Sequence, residues 1–203
     1  MSQEVLEMLQ KIGLHNVELQ IALQCAPLLA KLKISNLLIL PVKDIMKVKQ
    51  ILKYSDVDCE LISVKNGKAT MLLYRLAELE AYFQNKEIRI LMQFMGYTDF
   101  SKEALFARFQ KHYVAYQQED AEFPHEMGFF LGYPLEDVVG FIQNQGKNFL
   151  YTGYWKVYAD LQEKVALFQK FDMAQEQLVQ YVSDGGSLEE LLRNKEDLQK
   201  MIG

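Results

Sequence analysis

The chain is short of the residues that staple, ligate or titrate near neutrality. Its 203 residues include two cysteines, four prolines and three histidines. Cys25 and Cys59 form no CxxC pair and no multi-cysteine framework, so a zinc or iron-sulfur site built from cysteine is excluded and two reduced thiols are expected. No metal site is expected. No apolar run reaches the roughly 18 residues of a membrane span. The opening MSQEVLEMLQ has neither the basic region nor the apolar core of a signal peptide, and a cytoplasmic protein is expected. Positive charge is also short: a net charge of −5 and a pI near 5.3 argue against general affinity for nucleic acid or anionic lipid.

Familiar catalytic signatures are missing as well. There is no G-x-S-x-G and no G-x-G-x-x-G. HEMGF at His125 starts like a zinc-protease helix, but Phe129 stands where the second histidine must be. In GFIQNQGKN, five residues rather than four separate Gly140 from Gly146, and Asn148 replaces the Ser or Thr of a phosphate-binding loop.

What the chain has is apolar and aromatic bulk. Half of its residues are hydrophobic and 12% aromatic, enough for a real core and against long disorder. The pattern predicts an α+β fold with a small three-stranded sheet, β-α-β-hairpin, in the N-terminal half, followed by a mostly helical C-terminal half. One continuous domain is expected, with the sheet in about residues 1–75 and helices over about 76–203.

Val17 to Leu32 has helical spacing broken by Pro27, which lacks an N–H. SNLLILP reads as a buried strand ended by Pro41. Val42 to Lys53 reads as a helix burying Ile45, Val48 and Leu52. VDCELISV and ATMLLYR flank Asn66-Gly67, which supplies the two positive-φ positions of a hairpin turn. If the first two strands are parallel neighbours, their crossover is right-handed. Helices follow over about Leu76 to Met95, Ser101 to Gln118, from Pro134 to a left-handed Gly146, and Tyr154 to Ser183. A short final helix opens on a Ser187/Glu190 capping box.

Two features are candidates for function. Lys31 to Lys53 holds six lysines against one acid. Lys43, Lys47 and Lys49 form either a solvated face or a docking patch for an acidic partner protein. The second is FPHEMGFFLGYPLEDVVGF, residues 123–141, where glycines and prolines stand among rings beside a His-Glu pair. Beyond it come Lys147, Tyr151, Tyr154, Trp155, Lys156 and Tyr158. Pockets for flat ligands are apolar walls with a few placed polar groups, and the two segments meet that description if they fold together. The alternative is core packing.

In the pocket reading His125 is the acid-base group or an axial-type ligand, and Glu126 orients it or pairs with a lysine. Lys147 and Lys156 hold an anionic group, while Phe129, Tyr133, Tyr154, Trp155 and Tyr158 wall a planar body. The cofactor is not specified, although a porphyrin, flavin or related ring system suits the shape. A second reading is a non-enzymatic interaction module in which the block is structural. A third is a thiol enzyme using Cys25 with His125, Pro27 starting a helix whose positive end faces the sulfur. His15 and His112 sit on ordinary helical segments and take no role in any of the three.

CAPLLAKLKISNLL and FPHEMGFFLGYPLEDVVGFIQNQGKNFLYTGYWKVY resemble the two signature blocks of an uncharacterised bacterial family, the domain of unknown function 3793, found mainly in anaerobic Gram-positive bacteria. The resemblance covers most of the chain and implies no defined activity. It marks Cys25 to Pro27, Phe123 to Gly132 and Gly153 to Tyr158 as motif positions. It associates the chain with iron or redox physiology through neighbouring iron-uptake and flavodoxin genes. Some relatives carry cysteines in the segment matching Asn148 to Trp155. This chain has Phe149, Leu150, Tyr151 and Tyr154 there, which argues against a shared cysteine-ligated metal.

Overall fold

A computed structural model describes residues 16–194 and residue 198. The opening segment read above for a signal peptide lies outside the described residues. The fold is α+β, with a three-stranded antiparallel sheet early in the chain and helices dominating the later part. The chain divides into two compact units. One takes the residues up to Arg75 together with Gln169 onward; the other is Leu76–Phe168.

The first unit opens with α1, Val17–Leu29, capped by Asn16, whose side chain accepts the N–H groups of Glu18 and Leu19. Pro27 lies in its last turn, and one helix runs through it from Val17 to Leu29. The N–H that Pro27 lacks would have bonded the Leu23 carbonyl. That oxygen instead accepts from Gln175 Nε2 at 2.6 Å.

The sheet has β1 (Ser35–Pro41), β2 (Asp58–Lys65) and β3 (Lys68–Tyr74) in the order β1-β3-β2, every pair antiparallel. β1 and β2 are therefore not neighbours, and no parallel crossover forms. β3 takes the centre because it is apolar on both faces, with everything after Lys68 buried. β1, expected as a buried strand, is an edge: Leu38 and Leu40 face the core while Ile39 is exposed. Asn66 and Gly67 form the hairpin turn with φ of 51° and 72°.

Between β1 and β2, a 3-10 turn (Val42–Asp44) leads into α2, Ile45–Leu52, which buries Val48, Ile51 and Leu52. Lys43, Lys47 and Lys49 are exposed, as is Met46. After α8 (Leu161–Ser183), which begins in the second unit, α9 (Leu188–Arg193) completes the first. Leu178, Val179, Val182, Leu188 and Leu191 join the core built on α1 and the sheet. The capping box expected at Ser187 does not form. Glu18 caps α9 instead, accepting the Leu188 N–H at 3.0 Å and the Ser187 hydroxyl at 3.2 Å.

In the second unit the helix expected over Leu76 to Met95 is two: α3 (Leu76–Phe83) and α4 (Lys86–Phe94), the latter capped by Asn85. α5, Lys102–Gln117, is capped by Ser101. Its Phe106 and Phe109 pack on Phe130, the Phe109 and Phe130 rings stacking at 4.2 Å. A one-turn helix α6 (Met127–Phe130) and then α7 (Leu135–Gln143) follow, and Gly146 adopts the left-handed conformation at φ 69°.

The expected helix from Tyr154 does not start there. Tyr151–Thr152 (β4) and Lys156–Val157 (β5) form a small hairpin, and α8 begins at Leu161. The backbone N–H groups of Tyr158 and Ala159 donate to the Asp137 carboxylate, at 2.7 and 3.3 Å, instead of a helical ladder.

Candidate functional site

The second unit builds its concave surface from α6, α7 and the β4-β5 hairpin. Asp137 is the anchor. It sits in the first turn of α7 and is 2% exposed. Besides the two backbone donors it accepts the Trp155 indole N–H at 2.7 Å. A buried carboxylate with three donors is well satisfied, and it fixes the hairpin to α7. Gly140, one turn later, lets the Tyr158 ring lie directly on the helix; a Cβ there would stand 2.4 Å from that ring.

With the indole so held, Trp155 stacks on Tyr133 with centroids 4.8 Å apart and planes 29° apart. This pair walls a cavity of about 270 Å³. Met127, Leu131, Val138, Phe141 and Ile142 supply its apolar lining, with His125 and Lys156 at the polar positions. Lys156 Nζ donates to the Gly146 carbonyl at 2.7 Å and lies over the Phe141 and Phe149 rings. The His125 ring makes edge contacts with Phe123 and Phe141. Its Nδ1 is buried with no hydrogen-bond partner among the described residues.

The structure thus brings His125, Tyr133, Trp155 and Lys156 to one cavity and sends the other expected residues elsewhere. Phe129 is fully buried, because the single turn of α6 turns it away from the pocket while Met127 and Gly128 face it. Lys147 is exposed and does not line the cavity. Tyr154 packs on Phe168, and Tyr158 lies on Gly140 with its hydroxyl buried and unpartnered among the described residues.

Glu126 neither orients His125 nor meets a lysine. It turns to α5, where its Oε1 contacts His112 Nδ1 and accepts the Tyr97 hydroxyl at 3.2 Å. Cys25 leaves the candidate set. It is fully buried in the later half of α1, not at a helix start, with its sulfur 3.8 Å from the Leu37 carbonyl. Burial pushes its thiol up to about 12, despite Lys33 nearby, whereas a nucleophilic thiol needs the opposite shift.

A family model described as "Protein of unknown function (DUF3793)" matches residues 21–192. The chain belongs to the DUF3793 family. No curated protein and no solved structure matches it. Among the described residues of this DUF3793 protein, no helix is long and apolar enough to cross a membrane. None of its His, Cys, Asp and Glu groups there has the makings of a metal site.

Two residues of the site escaped the sequence reading. Asp137 looked like a helix N-terminal acid, which it is, and nothing local says that it also grips an indole 18 residues later. His112 sits in a plain amphipathic helix. The only available signal was a histidine on a helix preceding the His125-Glu126 pair, which is too common to select.

Proposed function

We propose that this DUF3793 protein binds a small planar ligand carrying an anionic group, in the cavity between α6, α7 and the β4-β5 hairpin. The observation that carries this reading is the Tyr133-Trp155 stack, held by Asp137, in the wall of a pocket otherwise lined by aliphatic side chains and rings with His125 and Lys156 beside it. The Tyr133-Trp155 stack offers a flat wall, and Lys156 offers the only cationic side chain among the cavity's lining residues.

The volume of about 270 Å³ lies just below the ~300 Å³ where pockets for drug-sized ligands begin. That size suits a ligand of two or three fused rings better than a whole porphyrin. The association with iron-uptake and flavodoxin genes that the resemblance implies is in keeping with a cytoplasmic role in iron or redox physiology, for which a reducible ring system is the fitting ligand class.

Trp155 is the only tryptophan in the chain, so intrinsic tryptophan fluorescence reports on this wall alone. Titration with fused-ring aromatic carboxylates, beginning with 2-naphthoate and flavin-derived ring acids, is expected to quench it saturably and to raise the melting temperature. Affinity should drop about tenfold in Lys156→Ala, the loss of one charge-assisted contact of roughly 1.4 kcal/mol. Absence of any saturable signal across the panel would count against the pocket and favour a structural role for the block. A second reading, docking of an acidic partner on α2, is supported by Met46, 72% exposed among Lys43, Lys47 and Lys49. Its check is a copurifying partner whose binding weakens with salt.

A further inference from the structure

A second hollow, of about 300 Å³, lies on the other side of the Phe123-His125 segment and is lined by Met95, His112, Glu122, Pro124 and Glu126 as well. Two of its lining residues, His112 and Glu126, belong to a hydrogen-bonded chain of three side chains from three segments, the third being Tyr97 behind them. Tyr97 follows α4, His112 is on α5, and Glu126 immediately precedes α6. Tyr97 and Glu126 are 1% and 4% exposed, but the His112 side chain keeps 31% of its surface.

The Glu126 carboxylate accepts from Tyr97 and meets Nδ1 of His112. Burial, with Glu126 alongside, pushes the Tyr97 phenol far above its ordinary range, so it stays a donor. An Nδ1–H held by a carboxylate leaves the lone pair of a neutral imidazole on Nε2. His112 Nε2 has no hydrogen-bond partner among the described residues, and the part-exposed His112 side chain lines the hollow. A histidine that served only to satisfy Glu126 would gain nothing from that opening.

We propose that Tyr97, Glu126 and His112 form an acid-base relay in which His112 Nε2 is the catalytic general base for a hydroxyl or water acting on a small uncharged ester. The relay is independent of the ligand pocket proposed above. In the step, water gives a proton to Nε2 as its oxygen bonds to the acyl carbon, and the resulting imidazolium is stabilised by Glu126. The C–O bond to the alcohol then breaks, and Nε2 returns the proton to the leaving oxygen, so that water plus ester become acid plus alcohol with no other reactant.

The charges around the hollow disfavour an anionic substrate. Glu122 and Glu126 line it with His112 and His125, and no lysine or arginine does. On the packed elements, the Arg108 guanidinium lies over the Tyr97 ring at 5.3 Å and donates to the Met95 carbonyl, and Lys111 precedes His112 on α5. Glu126 and Tyr97 are positioning residues here, since neither needs to touch the substrate.

The probe is 4-nitrophenyl acetate, whose hydrolysis releases a coloured phenolate. The full-length protein is expected to exceed an equal concentration of free imidazole at least tenfold, with a rate that rises through a single ionisation. His112→Gln should remove that excess. Tyr97→Phe takes a donor from Glu126, makes the carboxylate a better acceptor, and should move the midpoint of the pH-rate profile upward, which a merely structural tyrosine would not do.

A folded wild type no faster than His112→Gln, or a profile unmoved by Tyr97→Phe, overturns the proposal. Should His112→Gln fail to fold, carbethoxylation of wild-type His112 by diethylpyrocarbonate, read by mass spectrometry, decides instead. Modification at Nε2 with parallel loss of hydrolysis supports the relay, and an inert His112 overturns it. Loss of hydrolysis with unchanged Trp155 quenching by 2-naphthoate separates this site from the neighbouring pocket.

Discussion

Asp137 shows how much one side chain can organise. Its carboxylate takes the indole N–H and two backbone N–H groups. Replacing it with alanine strands three donors in a region with little access to water. The expected cost is about 2–3 kcal/mol, the range for losing hydrogen bonds to a buried charged group. Urea unfolding should show a lower midpoint with an unchanged slope, and the Trp155 emission should move to longer wavelength as the indole gains water. A variant as stable as wild type, with unshifted emission, would mean that the hairpin is held by packing alone.

At this scale the candidate site was partly legible. His125, Tyr133, Trp155 and Lys156 stood out because ring, cation and imidazole crowd two short stretches. Phe129 and Tyr154 stood out for the same reason and pack elsewhere, because composition says which side chains are near in sequence, not which way a single helical turn points them.

Among the elements, α1 carries a proline in its last turn without a break. The Gln175 amide from α8 fills the carbonyl that Pro27 leaves free. Gln175→Ala should therefore destabilise the first unit by about 1–2 kcal/mol, since the Leu23 oxygen becomes a buried acceptor without its donor. Pro27→Ala should rescue most of that loss in the double variant, because alanine at that position restores the helical N–H; strictly additive effects in urea titrations would refute the coupling.

The second half of the hairpin, from Tyr154, was read as helix because Tyr158, Leu161 and Val165 lie at spacings that suit a helical stripe. The pattern is correct but the backbone partners differ: Leu150 N–H donates to Val157 and Gly153 N–H to Trp155. By contrast Asn66-Gly67 was legible outright, because a two-residue turn needs two positive φ angles and that dipeptide supplies them locally.

For the molecule as a whole, alkaline stability tests the buried groups together. Burial raises Cys25 and Tyr133 each to about 12 and lowers Lys33 to about 8. A thiol or phenol that keeps its proton longer in the folded state contributes stability that is present below its unfolded pKa and lost as pH climbs to about 12. Lys33 works in the other direction: between about 8 and its ordinary 10.5 the unfolded chain holds the proton and the folded one does not, so stability rises there with pH. The melting temperature should therefore rise slightly from pH 8 to 9, level off as Cys25 opposes Lys33, and fall steeply above about 10.5. A steady fall from pH 8 would show that Lys33 is not desolvated as described.

The sequence by itself determined the class of fold, the β2-β3 hairpin and the left-handed Gly146, and the stretches from which a site could be made. These follow from chemistry acting within a few residues, where φ preferences, missing N–H groups and side-chain periodicity leave little choice. Only the tertiary structure decided that β3 lies between β1 and β2, that the residues from Gln169 onward belong with the sheet, that Glu18 rather than a capping box closes α9, and that Glu126 turns toward His112 and away from His125. Each of those is a choice among partners far apart in the chain, and it is settled by which buried donors and acceptors can be satisfied together, a condition that no local pattern records.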